Sequence, residues 1–83
     1  MADSERVPCG RGEWVQIVEG PRQDCLITPE VGGFFQYKAT QPTETTGHYL
    51  YALENHNAVP ESGQSFWFMS PHGDCGVWKT DRP

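Results

Sequence analysis

The sequence predicts an all-β domain, a small antiparallel β-sandwich or barrel of about six short strands with an extended N-terminal arm. Three observations carry this expectation. β-Branched and aromatic residues gather in short runs, and Gly and Pro signals divide those runs at the spacings of sandwiches and small barrels. No window of about 11 residues sustains the 3.6-residue period of an amphipathic helix.

The chain of 83 residues has room for one domain. It divides into a flexible arm over 1–12, a β body over 13–80 and a tail over 81–83. The arm carries Pro8, Gly10 and Gly12 among charged residues, with Val7 its only large aliphatic residue after Met1. Glu13 to Val18 is the first strand, with Val15 and Ile17 on one face and Trp14, Gln16 and Val18 on the other. It stops at the turn signal Gly20-Pro21. Cys25 to Thr28 is the second, ended by Pro29, which has no N–H to give a sheet ladder.

Gly32-Gly33 turns into the third strand, Phe34 to Ala39, and Thr40 to Gly47, without a large apolar side chain, reads as an exposed loop. His48 to Leu53 alternates as a fourth strand, although Ala52 to Asn55 equally suits one helical turn. Glu54 to Gly63 is a polar connection. Ser65 to Met69 is the most apolar run, and its bulky residues on both faces place it between two layers or at a subunit contact. After a turn at Pro71 to Gly76, Val77 to Lys79 is the last strand.

Composition narrows the function. Hydrophobic residues are 36% and charged residues 20%, enough apolar content for a packed core. A domain this small buries only about 60% of its unfolded surface, so it needs disulfides, a metal or oligomerisation to be stable. Six basic residues against eleven acidic ones give a net charge of -5, and the basic residues are scattered. Gripping nucleic-acid phosphates requires a concentrated positive face, so no nucleic-acid partner is expected. Residues 1–13 lack the apolar core of a secretion signal, and no run approaches a membrane span of about 20 residues, so no membrane is expected. Three irregularly spaced cysteines do not describe a complete intrachain disulfide framework, which fits synthesis in a reducing compartment.

Motifs that carry chemistry are few. Gly32-Gly33 lacks the remaining glycines and the helix of a phosphate loop. Neither Ser62, Ser65 nor Ser70 sits in a Gly-x-Ser-x-Gly elbow. Cys75 follows His72 by three positions, but a tight turn does not bring such a pair into nucleophile and base geometry. The same His72-x-x-Cys75 spacing, with Cys9 and Cys25, is the alternative zinc set. The chain is therefore expected not to be an enzyme and to hold no cofactor. Cys25 reads as a small buried hydrophobe in a strand and Cys75 as a turn or strand-edge residue, or two of the cysteines as an arm-to-body or cross-chain disulfide, and the histidines as loop or solvent-face residues.

The aromatic residues stand out. Ten Phe, Trp and Tyr residues are more than a core of this size encloses, so some should form a contact surface. The candidates are Trp14, Phe34, Tyr49, Tyr51 and Trp67, residue types enriched where proteins bury one another.

The order of these features also carries a resemblance. A Trp-bearing strand (Glu13-Trp14-Val15-Gln16-Ile17) leads to Cys25-Leu26-Ile27, an aromatic strand and a Thr/Pro loop ending Gly47-His48-Tyr49-Leu50. A Pro60 to Phe66 turn and strand and a terminal Val77-Trp78-Lys79 follow. Over residues 13–79 this rhythm resembles small tailed-bacteriophage virion structural proteins, while Tyr51 to Val59 and the cysteines depart from it. The resemblance implies a capsid decoration or cement protein made in the host cytoplasm, residing in the virion and contacting the major capsid protein or another virion protein. It also implies a homo-oligomer, a trimer among the options, with residues 1–12 across a neighbouring subunit. Trp14, Phe34, Trp67 and Trp78 would then pack the core or the oligomer contact. A head-tail or tail attachment protein is a close variant. Two other classes stand beside it: a carbohydrate-binding module with Tyr49, Tyr51 and Trp67 coplanar, and an acidic inhibitor that mimics nucleic acid with its acidic residues on one face.

Overall fold

The computed structural model describes residues 3–21, 25–44 and 47–81. Among them lie eight strands and no helix: β1 (Asp3–Cys9), β2 (Val15–Glu19), β3 (Cys25–Pro29), β4 (Gly33–Lys38), β5 (His48–Leu50), β6 (His56–Ala58), β7 (Ser65–Met69) and β8 (Cys75–Asp81). Every pairing is antiparallel. β4 pairs with β5, β3 with β6, β2 with β7 and β1 with β8, so the chain is one long hairpin folded about the β4–β5 connection. Two further pairings, β3 with β8 and β4 with β7, wrap that hairpin into sheets ordered β1-β8-β3-β6 and β2-β7-β4-β5. Such nesting is the connectivity of a jelly roll, a sandwich of two Greek keys.

Alternation decides which side chains meet between the sheets. Phe66 and Phe68 of β7 and Phe35 of β4 face inward from one sheet; Cys9, Cys25, Ile27, Ala58, Cys75 and Val77 face them from the other. Phe66 and Phe68 are fully buried, each contributing about 1.5–3 kcal/mol of transfer free energy. On β2 the register shifts between Gln16 and Val18. This bulge turns Ile17 and Val18 inward in succession, and Val15 packs on the core beside them. The expected separation of Val18 from Ile17 is thereby corrected.

The sheets differ from the sequence expectation at several points. Eight strands replace about six. Residues 3–9, expected within the flexible arm over 1–12, pair along their whole length with β8; Val7 and Cys9 point to the core, while Ser4, Arg6 and Pro8 alternate outward. Half the strand is polar because β1 is the edge of its sheet and covered on one face. Within the expected polar connection Glu54 to Gly63, His56–Ala58 forms β6 against β3. Pro29 ends β3 rather than following it, which is tolerated because β6 pairs only with Cys25 to Ile27 and leaves that side of Pro29 without a ladder partner. β8 extends from Cys75 to Asp81, and β5 stops at Leu50.

The connections gather at two ends. Those after β1, β3, β5 and β7 share one end and are tied together: Gly12 N–H donates to Ser70 O (2.8 Å), Arg11 N–H to Asp74 Oδ1 (2.8 Å), Ser70 Oγ to Gly32 O (3.1 Å) and Leu53 N–H to Pro29 O (2.8 Å). At the other end Gly20 N–H donates to Gln64 O (2.8 Å).

Candidate interaction surface

Residues that alternate with the inward phenylalanines build the outer face of the β2-β7-β4-β5 sheet. Trp67 of β7 lies directly between Gln16 of β2 and Gln36 of β4. Its indole N–H donates to Lys38 O at 3.1 Å, fixing the ring at the surface. Phe34 pairs with Tyr49 of β5, and the rings meet edge to face at 5.3 Å and 86°. Tyr49 in turn meets Tyr51 at 4.9 Å and 65°, and its hydroxyl is hydrogen-bonded to His72 Nε2 at 3.0 Å. The structure thus brings Phe34, Tyr49, Tyr51 and Trp67 to one side of one sheet. Such edge-to-face pairs contribute about 0.5–1.5 kcal/mol beyond burial and hold the rings in place.

Trp14 belongs to the same face but is covered by the chain itself. Its indole N–H donates to Glu44 O (2.8 Å), Gln41 Nε2 donates to Trp14 O (2.9 Å), and Pro42 is buried. The β4–β5 connection, expected as an exposed loop, lies across this flank and leaves Trp14 only 7% exposed. A direct interface role for Trp14 is therefore corrected: it anchors a loop. Met69, 1% exposed yet outside the inner core, is buried on the same flank.

Beyond β5 the chain makes a tight turn. Tyr51 N–H donates to Glu54 Oε1 (3.0 Å) and Glu54 N–H donates to Tyr51 O (3.1 Å). This closure resolves the choice between strand and helical turn over residues 52–55, since neither forms. The turn holds Leu53 at φ 62°, a left-handed conformation that costs a branched residue roughly 1–2 kcal/mol. Its side chain is nevertheless 73% exposed and that of Tyr51 67%.

The outer face of the opposite sheet is polar and internally paired. Arg6 Nε and Nη2 donate to Glu30 Oε2 (2.9 Å) and Oε1 (3.0 Å), and Trp78 Nε1 (3.0 Å) and Gly76 N–H (3.0 Å) donate to the same carboxylate. Trp78, expected in the core or the oligomer contact, is 41% exposed here, on the sheet away from the other aromatic residues. The Arg6 hydrogen bonds hold the Glu30 carboxyl down at about 2, with the Trp78 and Gly76 donors adding to them.

His56, expected on a solvent face, points between the sheets. It stacks on Phe66 (5.6 Å, 25°) and lies 4.4 Å from the Phe35 ring, with Nε2 hydrogen-bonded to the Tyr37 hydroxyl at 3.1 Å. Burial lowers its affinity for a proton, outweighing Glu54, which raises it. Both groups make the fold acid-sensitive. As pH falls below the ordinary histidine value of 6.5, the unfolded chain takes up a proton that folded His56 refuses, so stability declines. A second decline runs from 4.5, where Glu30 of the unfolded chain takes up a proton, down to about 2, where the folded carboxylate does. The thermal midpoint of the wild type should fall from pH 7.5 to pH 5.5, and His56→Phe should flatten that slope; an unchanged slope in the variant would assign the dependence to other groups.

The alternative zinc set does not assemble. Cys9 and Cys75 are opposed on β1 and β8, but Cys25 lies opposite Asp81, six residues along β8 and about 20 Å away. His72 faces Tyr49. Among the described residues no group of three or more His, Cys, Asp and Glu side chains is placed to hold a metal. All three cysteines are buried thiols. Sequence reasoning missed Leu53 as a surface residue, because its apolar character matched a strand and nothing local signalled a left-handed turn. A scan against protein-family models and searches of curated proteins and of solved structures found no match to this chain.

Proposed function

We propose that the chain is a non-catalytic assembly module, a virion structural protein of the capsid decoration type. Its outer β2-β7-β4-β5 face and the Tyr51–Glu54 turn dock on the major capsid protein or on further copies of the chain. The observation that carries this reading is Leu53. It accepts a strained backbone while its side chain contributes little to this fold, so its value lies in an apolar contact with something else. Tyr51, two residues before it, joins Tyr49, Phe34 and Trp67 in an aromatic surface on this sheet, residue types that anchor interfaces.

The carbohydrate reading asked for coplanar rings, and Tyr49 and Tyr51 stand 65° apart. The nucleic-acid-mimic reading asked for the acidic residues clustered on one face; two of them, Glu30 and Glu5, are instead matched by basic neighbours, Arg6 and, at 3.7 Å, Lys79. Leu53→Gly separates folding from docking. Relief of strain should leave its thermal midpoint equal to or slightly above the wild type, while Leu53→Gly combined with Tyr51→Ser should lower attachment to purified capsids of the cognate phage at least tenfold. Full attachment by the double variant, or none by the wild type, would overturn the reading.

A further inference from the structure

β1 and β8 place Cys9 directly opposite Cys75 in the antiparallel register. Opposed residues in such a pair have Cα atoms about 4.5–5.5 Å apart, inside the roughly 4.4–6.8 Å that a disulfide spans. Both side chains point to the same side of the sheet, into the core between the two sheets. Cys9 Sγ donates to Glu13 O and Phe68 O, each at 3.7 Å. The pair lies in the core at the loop end, beside an open depression lined by Arg6, Pro8, Cys9, Gly10, Asp74 and Cys75. Cys75 is the more accessible, 7% exposed against 2% for Cys9.

We propose that Cys9 and Cys75 are a redox-modification site, where a small-molecule disulfide closes an intrachain cross-strand bridge that locks the edge strand β1 to β8. The Cys75 thiolate attacks one sulfur of the small disulfide and releases one small thiolate. The Cys9 thiolate then attacks Cys75 Sγ, forming the protein S–S bond and releasing the second small thiolate. Two protein thiols are oxidised, one small disulfide is reduced to two thiols, and those thiols take up the two protons the cysteines gave up. Burial, with Cys75 adding to it, pushes the Cys9 thiol up to about 11, and burial raises that of Cys75. The thiolate is scarce at neutral pH, so closure should quicken as pH rises. Because the bridge encloses most of the chain, it removes much of the freedom of the unfolded state.

The test incubates the folded wild type with oxidised glutathione at pH 8.5, followed by acid quenching, alkylation and trypsin digestion. Cleavage after Arg6, Arg11, Arg22, Lys38 and Lys79 puts Cys9 in Val7–Arg11, Cys25 in Gln23–Lys38 and Cys75 in Ala39–Lys79, so any pairing can be read by mass. Expected are a bridged Val7–Arg11 and Ala39–Lys79 species, retention of the Cys25 thiol, and a thermal midpoint raised by about 5 °C or more. Cys9→Ser should stop at a glutathione adduct on Cys75. Persistence of all three thiols, a bridge through Cys25, or chain-to-chain dimers in place of the intrachain species would overturn the assignment.

Discussion

Phe66→Ala is expected to remove a large part of the chain's stability at 25 °C. Phe66 is fully buried and is the ring on which the core turns: Phe35 stacks on it at 5.1 Å, Tyr37 meets its edge at 5.4 Å and His56 lies at 5.6 Å. Truncating a buried phenylalanine costs about 3–5 kcal/mol, transfer and cavity together. At about 0.05–0.15 kcal/mol per residue, a domain of this size holds only some 4–12 kcal/mol in total. The loss also strips His56 of its stacking partner. Urea unfolding followed by tryptophan fluorescence checks this: the Phe66→Ala midpoint should fall far below that of the wild type, and the Phe66→Leu midpoint less far. A Phe66→Ala midpoint close to the wild type would mean that Phe66 is not central to the core.

Gly33→Ala should cost nearly as much by the opposite mechanism. Gly33 sits in β4 between β5 and β7, and a Cβ there would stand 2.4 Å from Met69 O and 2.7 Å from Phe68 Cζ. The carbonyl belongs to a paired strand and the ring to the core, so neither can yield without opening the sheet. Overpacking of this kind costs about 1–3 kcal/mol, and a clash with backbone belongs at the upper end. At Gly63, where a Cβ would meet nothing within 4 Å but φ is 85°, alanine should cost only about 1 kcal/mol of backbone strain. Thermal midpoints of the two variants should fall in that order, and the reverse order would contradict the packing of β4 against β7.

The body of the sheets was legible because its signals are local. Ser65 to Met69 is β7 at the bounds expected, since three consecutive aromatic residues of high β propensity sit at its centre between polar turns. Gly32-Gly33 marks the entry to β4 for the reason that Gly33→Ala exposes. What the sequence concealed depends on tertiary pairing. β1 carries Pro8 and three charged residues, and becomes a strand only because β8 supplies a seven-residue partner. β6 has no apolar run, yet His56 and Ala58 find the core through β3. The loop after β4 looked exposed because nothing in Thr40 to Glu44 predicts that Trp14 will donate a hydrogen bond into it.

The candidate surface was legible in kind and partly in detail. An excess of aromatic residues was visible in the composition, and Phe34, Tyr49, Tyr51 and Trp67 fall on one side of one sheet. Trp14 and Trp78 could not be sorted by residue type: one is sealed by a loop and the other pinned by Glu30 on the opposite sheet. Leu53 required the geometry of a turn.

Assembly of this chain is proposed to run through the outer β2-β7-β4-β5 face and its adjoining turn. Hydroxyl-radical footprinting of the free and capsid-bound protein measures that directly, side chain by side chain. Tyr49, Tyr51 and Leu53 should lose reactivity on assembly while Trp78 keeps it. Protection of Trp78 with Tyr51 and Leu53 unchanged would place the interface on the opposite sheet and contradict the account.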